Sequence, residues 1–259
     1  MTSDADTAHV HEHHWEWSWA PLLVVAGTFF LLPIAFGFYF AYDNLMMTAV
    51  FAGLGTVMLL AGVSMWVNEG LTQTPLLAGV ANIGLPIFIL SEIFIFLSLF
   101  SSYWMMRLGV ESWPPEGTPD GGLSKMIPLI MTVILVSSSV TCHVAEEKLD
   151  HGDLSGFNKW WIYTIVLGTV FLGFTVWEWN HLITLEIPFI PSTNAYSSAF
   201  YTITGFHASH VLVGLFAFIA VLIPALGGRT NKTFVNCVSV YWHFVDIVWF
   251  FVASQVYFW

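Results

Sequence analysis

The chain has 259 residues, of which 57% are hydrophobic and 9% charged, and its mean hydropathy is +0.75. A soluble domain carries roughly a quarter charged residues, so the polar surface needed to face water all round is missing and the bilayer is the main solvent. Lys and Arg number 6 against 17 Asp and Glu, a net charge of −11, which argues against nucleic acid as a partner and against binding through a polybasic face.

The opening MTSDADTAHVHEHHWEWSW has no Lys or Arg and contains Asp4, Asp6, Glu12 and Glu16. A secretory signal needs a basic start, so residues 1–18 read as a polar, His-rich, solvated tail. Its histidines, at 9, 11, 13 and 14, are too irregularly spaced for an expression tag. A helix needs about 20 apolar residues to cross ~30 Å of hydrocarbon, and seven stretches satisfy this. The first runs from Trp19 to Tyr42, where Pro33 should kink it. The second covers Met46 to Val67. After EGLTQTP comes the third, Ala78 to Arg107, long enough to require tilt. The Pro- and Gly-dense LGVESWPPEGTPDGG breaks the chain before the fourth span, Leu123 to Ala145, whose start Pro128 marks. The polar EEKLDHGDLSGFN then separates it from the fifth, Trp160 to His181. The semi-apolar ITLEIPFIPSTN is expected along the membrane surface. The sixth span is Tyr196 to Ala225, and LGGRTNK leads to the seventh, Phe234 to Phe258.

With the N-terminus inside, Lys148, Lys159, Arg229 and Lys232 fall on the cytoplasmic side and Arg107 and Lys125 outside, the bias expected for a cytoplasmic N-terminus. Aromatics make up 17% of the chain, including 13 Trp, which suits interfacial anchoring. Cys142 and Cys237 sit at predicted cytoplasmic helix ends without metal-ligand spacing, and no disulfide is expected. The fold class is an all-α membrane protein. It comprises the tail 1–18, a helix pair 19–67 and a five-helix bundle 78–259.

Ionisable residues at membrane depth cost about 2.5–3.5 kcal/mol each and are functional suspects. Glu92 stands roughly 21 Å into its helix, and its same-face neighbours Phe88, Ile89, Ile95 and Phe96 cannot pair with it. Burial disfavours its charged form. Two readings stay open: a neutral acid tying the helix to a neighbour, or a proton-relay or lipid-contact site. His243 and Asp246 share a face of the last span at i, i+3, as His207 and His210 do on the sixth. Asp246 and His210 lie at about 18 and 22 Å from the predicted cytoplasmic ends, close to the depth of Glu92. We expect a polar layer joining helices three, six and seven, with His207 or His210 as the bridge. These histidines are expected to form hydrogen bonds rather than bind haem or metal, because a redox core needs more His pairs at depth. Glu178, flanked by Trp177 and Trp179, is read as an interfacial anchor.

The segments SEIFIF, WPPEGT, GFHASHVLVG and YWHFVDIVWFFVASQVYFW occur in the order and with the spacing of subunit III of the haem-copper cytochrome c oxidases, which the chain resembles over most of its length. The resemblance implies seven helices, with helices one and two separated by a lipid-holding cleft from helices three to seven. It implies no haem or copper in this chain and no catalytic residue of its own. Haem and copper are expected in partner subunits of the respiratory complex, with subunit I as the main contact and subunit II and others beside it. It further implies support of proton uptake and of the stability of subunit I, and a bacterial-type plasma membrane location. Glu92 matches the family's carbodiimide-reactive carboxylate. The lipid-contacting region maps less closely: Trp66, Val67, Asn68 and Glu69 stand where basic residues are expected, which leaves Trp66 and Arg229 as the lipid candidates. A quinol-oxidase subunit III often lacks the first two helices, so Trp19–Val67 favours the cytochrome c branch. A proton-coupled transporter using Glu92 and Asp246 would show inverted repeats, and none is found. A b-type cytochrome anchor is the remaining alternative.

Overall fold

The computed structural model describes residues 17–72, 80–119 and 123–259, with the side chains of 80–82 left aside. The histidines of the N-terminal tail lie outside these residues. Among the described residues the protein is all-helical, with seven helices long and apolar enough to cross a membrane. They are α1 (Ala20–Phe40), α2 (Leu45–Thr72), α3 (Val80–Leu108), α4 (Met126–Asp150), α5 (Leu154–Ile183), α6 (Ala195–Leu226) and α7 (Lys232–Phe258). The chain divides into two compact units, Met1–Ala78 and Gly79–Trp259.

In the first unit α1 and α2 pack backbone to backbone. A Cβ on Gly27 would stand 2.6 Å from the Leu59 nitrogen, one on Gly55 2.6 Å from the Leu31 nitrogen, and one on Gly62 2.8 Å from the Val24 nitrogen. Lipid tails are as apolar as Leu, so helix pairs gain from such close approach rather than from hydrophobic burial. Pro33 has no N–H to give, and α1 takes a π turn over Phe30–Ile34 before returning to α-helix. The second helix runs beyond the expected Val67 because Asn68 and Glu69 stay helical. Ser18 Oγ lies 2.8 Å from both Glu69 carboxylate oxygens and binds the two ends of the pair.

In the second unit α7 is the central element, in contact with α3, α4 and α6, while α5 packs against α4 and α6. Trp161, Trp242, Trp249, Tyr103 and five phenylalanines, among them Phe171 and Phe218, are its largest fully buried side chains. The indole N–H groups find cross-helix acceptors: Trp161 donates to the Phe218 carbonyl (2.9 Å), Trp242 to Ser138 (2.9 Å) and Trp249 to Thr132 (3.0 Å). Gly168 and Gly214 leave room for the Trp242 ring, which a Cβ at either would meet at 2.8 Å.

The polar stretch expected between the fourth and fifth spans is mostly helix. Glu146, Glu147 and Lys148 are good helix formers, so α4 runs on to Asp150. Asp153 then caps α5, its Oδ1 accepting from Gly156 N–H at 2.8 Å. Only residues 151–153 turn, with Gly152 at φ 77°. The segment 184–194 is not confined to the surface: Phe189 is fully buried, and its carbonyl accepts from Tyr201 O–H at 2.7 Å. Asn194 caps α6 by a reciprocal pair with Ser197, and its Nδ2 donates to the Glu116 carbonyl at 3.1 Å. The WPPEGT loop is thereby tied to the start of α6.

Candidate functional site

The buried polar side chains of the second unit sort by helix face. On α3, Glu92 shares its direction with Phe88, Phe96 and Phe100, one turn apart, as the 3.6-residue period requires. Phe96 and Phe100 are buried, which carries the Glu92 carboxyl toward α6. On α6, His210 is one turn from Phe206 and from Gly214. Its Nε2 lies 3.1 Å from Glu92 Oε2, and its Nδ1 lies 2.9 Å from the Phe206 carbonyl oxygen. The side chains of the pair are 10% and 14% exposed, His210 and Glu92 respectively.

A carbonyl only accepts, so Nδ1 of His210 carries a proton and donates it to Phe206. A single further proton then lies between Nε2 and Oε2. It sits on oxygen as a neutral acid donating to a neutral imidazole, or on nitrogen as an imidazolium donating to a carboxylate. Both forms have no net charge, which is how an acid and a base remain tolerable at this depth. Aromatic rings surround His210: Phe206, Phe96, Phe244 and Tyr241 lie 4.6, 5.2, 6.4 and 6.4 Å from its ring centre. Tyr241 also donates to the His210 carbonyl at 3.3 Å. The arrangement can shift one proton between carboxyl and imidazole without changing its net charge.

The other candidates lie elsewhere. His207 is one turn along α6 toward the α6 N-terminus and 1% exposed, its ring 5.3 Å from Trp249 and 5.8 Å from Phe171. Neither of its nitrogens has a hydrogen-bond partner among the described residues. Asp246 is buried on the face of α7 that carries Ser239, Trp242 and Trp249, all of which meet α4. Cys142 of α4 is within its electrostatic reach, and its two oxygens have no partner among the described residues. Tyr241 and Phe244, which meet His210, stand on a different face of α7. The two aspects of the helix therefore separate Asp246 from the Glu92–His210 pair. His243 is half-buried, with Glu146 and His143 as its ionisable neighbours. No hydrogen bond joins it to Asp246 among the described residues. Trp66 is exposed on α2, and Arg229 is exposed in the turn between α6 and α7. Among the described residues no three His, Cys, Asp or Glu side chains converge in a metal-holding group.

The structure adds one buried acid. Glu178 is 2% exposed and accepts from Tyr257 O–H at 2.7 Å, so it faces the bundle rather than the interface. Its signal in the sequence is helical spacing: Phe171, Thr175, Glu178 and Leu182 lie on one face of α5 and all are buried. The flanking Trp177 and Trp179, residues typical of the interface, mask that spacing.

With this geometry in place, comparison with known proteins gives the lineage. Residues 11–259 match the family described as cytochrome c oxidase subunit III. The chain belongs to the cytochrome c oxidase subunit III family. Among its relatives is the cytochrome c oxidase subunit 3 of Synechocystis sp., 37% identical over 178 residues, which is 67% of this chain and 73% of that protein. The cytochrome c oxidase subunit 3 of Thermostichus vulcanus is 35% identical over 179 residues, covering 68% of this chain and 85% of the relative. The probable cytochrome c oxidase subunit 3 of Nocardia farcinica is 35% identical over 181 residues, with 68% and 87% covered. Family membership makes the chain a membrane subunit of a respiratory oxidoreductase complex.

Proposed function

We propose that this chain is the redox-centre-free subunit III of a proton-pumping terminal oxidase that reduces O2 to water with electrons from cytochrome c. In this role it packs against subunit I, steadies it and supports its proton uptake, while haem and copper stay in the partner subunits. Structural phospholipids bind to it, with Trp66 and Arg229 as contacts. It resides in a bacterial plasma membrane with its N-terminal tail in the cytoplasm, a reading supported by the Lys148, Lys159, Arg229 and Lys232 bias and by relatives from bacteria.

One observation carries the proton reading: Glu92 and His210 face each other at 3.1 Å inside an aromatic shell. Transfer within the pair leaves it neutral, whereas passing that proton on leaves one negative charge, so the pair holds a proton at membrane depth and yields it only where a neighbouring charge compensates. The test compares assembled oxidase containing wild-type chain with oxidase containing Glu92→Gln. We expect both to co-purify with a large haem-bearing subunit and to give the same visible spectrum. The variant is expected to take up protons more slowly and to inactivate after fewer turnovers. Equal uptake and equal lifetime would reduce the pair to a structural tie. A gentle purification that yields no haem-bearing partner would sink the oxidase reading itself.

A further inference from the structure

The last turn of α3 carries a polar group that the Glu92–His210 pair does not touch. The Arg107 guanidinium carbon lies 5.0 Å from the Trp113 ring centre and 5.6 Å from that of Trp259. Two indoles flank the cation, yet its N–H groups still need acceptors. Its Nε is buried without one, and among the described residues no carboxylate pairs with it. One turn earlier, on the same face, Tyr103 is 1% exposed and packs against Trp113, Tyr196 and Trp259. Its hydroxyl also has no partner among the described residues, and it lies within electrostatic reach of Arg107.

Two neighbouring donors therefore lack acceptors. A water molecule would satisfy the phenol and leave the cation uncompensated. An oxyanion would accept from both and neutralise the charge. Position selects which oxyanion. Arg107 stands one residue from the end of a membrane-crossing helix and is ringed by Trp and Tyr, the residues of the headgroup level. Next to it Leu108 is 75% exposed, an apolar surface for an acyl chain. We propose that Tyr103 and Arg107 bind the phosphodiester of a phospholipid. Inorganic phosphate offers the same oxygens but nothing to cover Leu108 at the membrane edge.

The test uses assembled oxidase in detergent, with retained phospholipid counted by mass spectrometry through delipidating washes. Tyr103→Phe keeps the ring packing and removes only the hydroxyl, and Arg107→Gln removes the charge. We expect one phospholipid to leave Tyr103→Phe about tenfold faster than wild type, the worth of one hydrogen bond to a charged group. Arg107→Gln should not retain it, and excess inorganic phosphate should not displace it from wild type. The same retention in wild type and Tyr103→Phe overturns the proposal even if Arg107→Gln fails to assemble. Displacement by inorganic phosphate overturns it too, in favour of a free-anion site.

Discussion

Nδ1 of His210 is held by the Phe206 carbonyl, so whatever happens at Nε2 is felt by Glu92. The two partners are not equivalent to substitution. Glu92→Gln leaves an amide N–H that can donate to Nε2, and the neutral pair persists. His210→Phe leaves the carboxyl, 14% exposed, without its base. Stranding a buried polar group costs about 1–3 kcal/mol, whereas replacing one good partner by another is nearly neutral. Thermal unfolding of the purified protein should therefore show His210→Phe clearly less stable than wild type and Glu92→Gln close to it. If both variants unfolded together at a lower temperature, the charge of the pair rather than its hydrogen bond would hold the helices. Glu178 and Tyr257 repeat the same logic near the end of the bundle with a phenol in place of the imidazole.

At the scale of helices, glycine marks where backbones touch. Gly55 sits against the backbone of α1, with Leu31 nitrogen and Gly27 oxygen at 2.6 and 2.7 Å from a built Cβ, while Gly53 has nothing within 4 Å. A methyl at Gly55 must push α1 and α2 apart, an overpacking that costs about 1–3 kcal/mol. The same methyl at Gly53 meets open space and gains up to about 1 kcal/mol of helix propensity. Protease resistance of the first unit should fall for Gly55→Ala and hold or rise for Gly53→Ala; equal behaviour would show that the pair does not rely on this approach. These contacts also show what the sequence could and could not reveal. Hydropathy located all seven spans because lipid demands apolar length. It marks the membrane edge rather than the helix end, and α4 runs past that edge through Glu146–Asp150. Depth arithmetic set Glu92 and His210 at one level. The face of Asp246 was not legible, because it depends on which neighbour lies on which side of α7. Glu178 was legible in spacing and hidden by its Trp neighbours.

Across the whole molecule, the distribution of burial separates two kinds of stability. All of the large apolar core, from Phe96 to Tyr257, belongs to the second unit, together with the Glu92–His210 and Glu178–Tyr257 pairs. Among its described residues the first unit buries little besides Ala20, Ala35 and its three close-approach glycines. Within its own unit the pair is held by one interface, whereas within the second unit α7 alone is held by α3, α4 and α6. Membrane helices are each stable once inserted, and packing is a second step, so removing two of them need not unfold the other five. A chain beginning at Gly79 is therefore expected to insert, fold and keep the indole hydrogen bonds of Trp161, Trp242 and Trp249. Its thermal unfolding should lie within a few degrees of that of the full chain, because those ties and the core are unchanged. Near-ultraviolet circular dichroism of the two chains checks this, since the buried Trp residues report packing directly. A truncated chain that aggregates or loses its aromatic signal would show that α1 and α2 support the bundle as well as accompany it.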